Sequence, residues 1–238
     1  MSLVSALITV AAMLPAMAAE ATTPAPFAAT YAVSYRGLNA GELRSTLLSG
    51  APGEYVYETR VSPSPLARFV VSDKALERSV MRIDASGVRP LSWSSEDGKA
   101  GGARDGALEF AWNEHRVSGV VEGQWVELPT EPMLQDRLSI QIAVITALLR
   151  DDGPDTLALI DDEKIKRYSY TRAGTERIET RAGRFDTVVY ESTRPGSSRL
   201  SRVWHAPELG YVPVRAEQLR NGKVETVMEL IKVRVNGA

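Results

Sequence analysis

The sequence has no cysteine and only two histidines. Without cysteine there is no thiol nucleophile, disulfide framework, thiolate metal site or iron–sulfur cluster. Nor is there a residue for lipid acylation at a processed N-terminus. His115 and His205 stand 90 residues apart, in neither an H-x-x-x-H nor an H-x-H spacing, so no histidine metal site is expected. No G-x-S-x-G elbow occurs. The glycines at 101 and 102 are not followed by Lys-Ser or Lys-Thr and match no phosphate-cradling loop. Lysine is scarce: six against 22 arginines, and the arginines are scattered. With a net charge of -2, the chain gives no reason to expect a nucleic-acid or anionic-membrane partner. No catalytic residue, cofactor or metal is expected.

Long apolar runs are also missing. The N-terminal apolar stretch, Leu7 to Leu14, falls short of the roughly 20 residues that span a bilayer. It ends at Pro15 and is followed by Ala16-Met17-Ala18, a small-x-small cleavage pattern. Residues 1–18 therefore read as a signal peptide cut after Ala18, and 19–26 as a flexible Thr/Pro/Ala spacer. Residues 27–238 read as a single β-rich domain placed in the periplasm, with no transmembrane segment in the mature protein.

What the mature chain does contain is alternation. Tyr31, Val33 and Tyr35 point one way and Thr30, Ser34 and Arg36 the other, the mark of a half-buried strand. The pattern recurs along the chain, punctuated by Gly, Pro and Asn turns. Expected strands include Lys164 to Thr171, Gly174 to Thr180 and a hairpin at Asn221-Gly222. Leu66 to Val71 reads as either strand or helical turn. The period changes once: Leu134, Leu138, Ile142, Ile145 and Leu149 share one helical face, predicting a helix over about 133–150. The expected fold is mainly β: a single curved antiparallel sheet or half-open β-barrel with one main α-helix packed on or in it.

Three readings of function follow. The first is a non-enzymatic binding or carrier module for a hydrophobic or amphipathic envelope molecule, such as an acyl chain or glycolipid. In that reading Tyr31, Tyr35, Tyr57, Trp93, Phe110, Trp112 and Tyr190 line an apolar cavity; in a closed sandwich the same residues are core. The second is an assembly or scaffold protein with an envelope protein partner. The third is a hydrolase acting on an envelope polymer through His205, Glu208 or the Asp161–Glu163 cluster, although turn chemistry alone explains Asp at 161 and 162.

Three segments carry a resemblance: Gln135-Asp136-Arg137-Leu138-Ser139, Ala182-Gly183-Arg184-Phe185-Asp186-Thr187-Val188-Val189-Tyr190, and Trp204-His205-Ala206-Pro207-Glu208-Leu209-Gly210-Tyr211-Val212-Pro213-Val214-Arg215. In their order and spacing they resemble the exported proteobacterial domain-of-unknown-function family number 3108. The resemblance implies a β-rich periplasmic protein and brings no catalytic residues to transfer. The layout is also similar to the half-barrels of periplasmic lipoprotein carriers.

Overall fold

The computed structural model describes residues 22–69, 72–99, 102, 105–161 and 163–236. The leader expected over 1–18 lies outside them. The first eight strands form a meander: β1 (Phe27–Tyr35), β2 (Leu38–Ser49), β3 (Glu54–Pro63), β4 (Leu76–Asp84), β5 (Gly87–Glu96), β6 (Gly106–Ala111), β7 (Arg116–Val121) and β8 (Gln124–Pro129). A two-residue strand, β9 (Leu134–Gln135), precedes the helix α1 (Ser139–Leu149). A second meander follows: β10 (Thr156–Asp161), β11 (Lys164–Thr180), β12 (Gly183–Thr193), β13 (Arg199–Ala206), β14 (Val212–Arg220) and β15 (Lys223–Val235).

All fifteen strands belong to one sheet, in the order β8-β7-β6-β5-β4-β3-β2-β1-β15-β14-β13-β12-β11-β10-β9. The chain's first and last strands pair antiparallel at the middle of the sheet, Phe27 opposite Val235 and Tyr35 opposite Thr226. Every neighbouring pair is antiparallel except the short β9–β10. Successive turns therefore alternate between two ends. One end, here the rim, carries the β1–β2, β3–β4, β5–β6, β7–β8, β10–β11, β12–β13 and β14–β15 connections. The other end, the base, carries the remaining turns and both termini of the sheet. At the rim, Arg36-Gly37, Glu122-Gly123 and Asn221-Gly222 all adopt positive φ at both positions, the primed turn that matches strand twist.

The two sheet ends meet through side chains without a hydrogen-bonded ladder. Trp93, Leu108, Phe110, Val117, Val121 and Val126 from β5–β8 pack against Leu134, Ala158 and Ile160 from β9 and β10. The result is a rolled sheet closed by an apolar seam and not by backbone pairing. The expected strands at 164–171 and 174–180 are one strand, β11, bent by a register shift between Arg172 and Gly174. Ala67 to Phe69 form a short 3-10 turn. The second half of the expected spacer is docked: Pro24 is buried, and the Pro26 carbonyl accepts the Asn236 amide.

The helix starts at Ser139, six residues later than periodicity suggests, because Asp136 stops it. Asp136 Oδ1 accepts the amides of Leu138 and Ser139 at 2.8 Å each, and Ser139 Oγ in turn accepts the Asp136 amide. A carboxylate on these free N–H groups is a capping arrangement. Leu134 and Gln135, inside the apolar periodicity, go to β9. At the far end Arg150 donates to the carbonyls of Asp84, Ala85 and Thr22. These bonds pin the helix C-terminus to the base, beside the β4–β5 turn. Mostly apolar, α1 lies inside the rolled sheet, with Ile142, Ala143, Ile145 and Leu148 packed among Phe27, Tyr57, Met81 and Val88.

Candidate functional site

Between the N-terminal half of α1 and the rim halves of β10–β15, β1 and β2 lies a cavity of about 400 Å³. Strand register builds it in tiers. Nearest the rim, Ser192, Ser201, Gln218 and Thr226 pair in one row across β12, β13, β14 and β15. One pleat deeper, Tyr190, Val203, Ala216 and Met228 form an apolar row. The floor holds His205, Tyr31 and Ser45, with Tyr57 beside them. Ile140, Gln141 and Val144 of α1 form the wall facing these strands.

The floor is buried, polar and neutral. His205 is 3% exposed, and its Nδ1 lies 2.9 Å from the Tyr211 carbonyl oxygen. A carbonyl offers only lone pairs, so Nδ1 carries the proton and Nε2 is left as an acceptor. Burial lowers the His205 pKa to about 4, which keeps the ring neutral at pH 7. Burial likewise pushes the Tyr57 phenol up to about 12 and raises those of Tyr31 and Tyr170. Tyr31 donates to the Pro213 carbonyl at 3.0 Å, and Tyr57 to Gln141 Oε1 at 3.3 Å. Ser45, 1% exposed, lies close enough to both phenols to favour their ionised forms, yet its Oγ completes no hydrogen bond among the described residues. A buried hydroxyl left open in this way carries a desolvation cost that a bound polar atom would relieve.

Charge is held at the cavity's edge. Arg137 bonds to Asp161 at 3.3 Å, approaches Glu122 at 3.7 Å and stacks over the Trp93 ring. Lys166 holds the other Asp161 oxygen at 2.7 Å. Two further carboxyls lie nearby, that of Asp136 buried and that of Glu77 half-buried. Asp136 accepts from Ser79 Oγ at 2.6 Å and Glu77 from Trp93 Nε1 at 2.8 Å; burial raises the pKa of both. Gln135 donates to the Val88 carbonyl while its Oε1 has no partner among the described residues. The Gln135–Ser139 segment thus anchors the helix inside the sheet. Among the described residues no cluster of three metal-ligating side chains occurs.

Of the seven residues proposed from sequence to line a cavity, Tyr31, Tyr57 and Tyr190 do so. Tyr35 pairs with Thr226, extending the rim row of the cavity onto β1, and is 46% exposed. Trp93, Phe110 and Trp112 sit in the apolar seam; Phe110 stacks on Trp112, whose Nε1 donates to the Pro90 carbonyl. The residues not singled out, Ser45, Gln141, Tyr168, Tyr170, Val203 and Met228, mostly lie on strands at alternate positions with known lining residues. That spacing was the available signal. His115 is exposed in a turn with φ 54, and Glu208 is exposed at the base.

No curated protein matches the chain. Among solved structures, the β-barrel-like protein of domain of unknown function DUF1849 from Brucella abortus superposes with TM-score 0.54 at 9% identity. That match covers 91% of this chain and 100% of the other. The MucA/MucB complex of Pseudomonas aeruginosa gives TM-score 0.41 at 12% identity, covering 92% of this chain and 54% of that one. A Vibrio parahaemolyticus domain provisionally assigned to outer membrane lipoprotein sorting gives 0.29 at 11% identity, over 92% and 88% of the two chains. The Brucella likeness is one of fold. No helix among the described residues is long and apolar enough to cross a membrane. The profile of the family described as protein of unknown function DUF3108 matches residues 30–229, and the chain belongs to that family.

Proposed function

We propose that this protein is a periplasmic binding or carrier module for an amphipathic envelope molecule with an acyl chain. The observation that carries the reading is the tiered cavity: an apolar middle row between a polar row at the rim and a neutral polar floor. Its volume falls in the range of small-molecule sites. A hydrocarbon segment suits the Val203–Ala216–Met228 tier. A hydrogen-bonding group at the chain's buried end suits Ser45 Oγ and the His205 Nε2 acceptor. The floor groups Ser45, His205, Tyr31 and Tyr57 are neutral at pH 7, which favours a neutral group there.

The test is native mass spectrometry of the protein purified from periplasm without detergent, followed by titration with a fluorescent fatty acid. A co-purifying lipid mass that the fatty acid displaces is the expected result. A ligand-free protein that takes up no probe would sink the carrier reading.

A further inference from the structure

Exposed apolar side chains are distributed unevenly over this molecule. Nine large ones stand exposed among the described residues, and seven of them sit at the rim. Leu38, Leu66 and Phe69 are 67%, 74% and 87% exposed. Tyr35 flanks the β1–β2 turn, Val224 the β14–β15 turn, and Val120 and Trp125 mark the β7–β8 hairpin. Scattered exposure of this kind needs no explanation, but concentration at one end does.

The rim is not uniform in charge. Consecutive strands in the sheet, β12, β13, β14, β15, β1, β2, β3 and β4, contribute four neighbouring connections to it. In and beside those connections lie Arg36, Arg68, Lys74, Arg194, Arg199, Arg220 and Lys223, against Asp73, Glu77, Glu191 and Glu225. Glu225 is shared by Arg36 and Arg220. Arg68, Lys74, Arg194 and Lys223 make no ion pair among the described residues. Leu38, Leu66 and Phe69 project from this same arc. The β3–β4 connection is tied beside the β1–β2 turn, its Ser64 amide and hydroxyl bonding the carbonyls of Ala40 and Asn39.

This arc also borders the cavity. Ser192, Ser201, Gln218 and Thr226 lie within a few residues of the rim ends of β12 to β15, and Tyr35 continues their row onto β1. We propose that the basic, apolar arc of the rim docks the protein on an anionic lipid surface, with the cavity mouth facing the bilayer. Phe69, Leu66 and Leu38 would enter the headgroup layer while the arginines and lysines meet lipid phosphates. The proposal rests on the carrier reading for its purpose, but its geometry stands without it.

The experiment is co-sedimentation of the full protein with vesicles of phosphatidylcholine containing phosphatidylglycerol, and with vesicles of phosphatidylcholine alone. Binding is expected to the anionic vesicles, weakened at high salt. The double variant Leu66→Asp/Phe69→Asp and the double variant Arg68→Glu/Lys74→Glu should each lower the partition coefficient by about tenfold or more. These side chains are on the surface, so thermal melting should be unchanged, and Leu48→Asp, an exposed leucine at the base, should bind as the original does. Absence of vesicle binding, or rim variants that bind normally, overturns the proposal. So does a concentration-dependent dimer that Phe69→Asp dissolves, since the arc is then a surface between copies. Vesicle binding by a protein that carries no lipid would remove the carrier reading and leave docking in place. Lipid uptake without vesicle binding does the reverse.

Discussion

Replacing His205 with glutamine should remove much of the protein's sensitivity to mild acid. His205 is buried on the cavity floor, and burial holds its pKa near 4, against about 6.5 in an unfolded chain. The folded pKa is depressed, so below pH 6.5 the unfolded state takes up the proton first. Stability is then lost as pH falls from about 6.5 towards 4. At pH 4.5 the linkage relation gives a loss of about 2.5 kcal/mol relative to pH 8 from this residue alone. That is a large part of a marginal folding free energy. Asp136 and Glu77 work in the opposite sense. Their pKa values are raised by burial, so the folded state gains protons on acidification and their unfavourable ionisation is relieved.

The assay must therefore be a double difference. Urea unfolding of the original protein and of His205→Gln at pH 8 and pH 4.5 cancels the shared carboxyls. Asp84, held at about 2 by its bonds to Ser86 and Arg89, stays ionised in the folded protein throughout. Glutamine can donate its amide to the Tyr211 carbonyl in place of Nδ1–H, so the variant should lose only about 1 kcal/mol at pH 8. The acid-induced loss should shrink by about 2.5 kcal/mol. Equal losses in both proteins would show that His205 ionises freely and that the floor is not a desolvated site.

Three further changes test the framework. Asp136→Ala removes the cap of α1 and strands Ser79 Oγ and two buried amides; it should cost about 3 kcal/mol in urea unfolding, whereas Asp136→Asn should lose well under half of that. Ala216→Trp should fill the apolar tier and abolish fatty-acid probe binding while leaving the circular dichroism spectrum unchanged; retained probe binding would move the ligand out of this cavity. Gly119→Ala should lower the melting temperature by several degrees, since a Cβ there would sit 2.0 Å from the Ala107 carbonyl oxygen at a φ of +153°.

Alternation along single strands located the faces of the sheet and separated its one helix from the strands around it. It did not carry position around the roll. Tyr31 and Trp93 have the same local signature, yet one faces the cavity and the other fills the seam, because β5 and β1 stand four places apart in the sheet. The pairing of Phe27 with Val235, which puts β1 and β15 at the sheet's centre, joins segments with nothing between them in local propensity to announce it. His205 shows the same gap between pattern and role. A histidine at a strand end reads as a surface or hydrogen-bonding residue until burial and the Tyr211 carbonyl fix its tautomer. Asp136 was legible only as part of a familiar segment; its cap on α1 overrode an apolar period that runs back to Leu134.

That cap also sets the size of the cavity. An α-helix rises about 1.5 Å per residue, so the 11 residues of α1 span about 16 Å. A strand rises about 3.3 Å per residue, so the nine residues of β1 span about 30 Å. Arg150 fixes the lower end of the helix at the base. Asp136 fixes the upper end about halfway up, at the level of Ser79. Below that level α1 fills the trough and supplies the core that a rolled sheet of this width lacks on its own. Near that level only Ile140, Gln141 and Val144 of the first turns of α1 face the inward side chains of β10–β15 and β1, and space is left between them. A helix begun at Met133, as periodicity alone would have it, would add about 9 Å and close the space. The cavity is therefore a consequence of where one buried carboxylate stops the helix, and Asp136→Asn, which keeps the stop, should preserve ligand uptake even where it lowers stability.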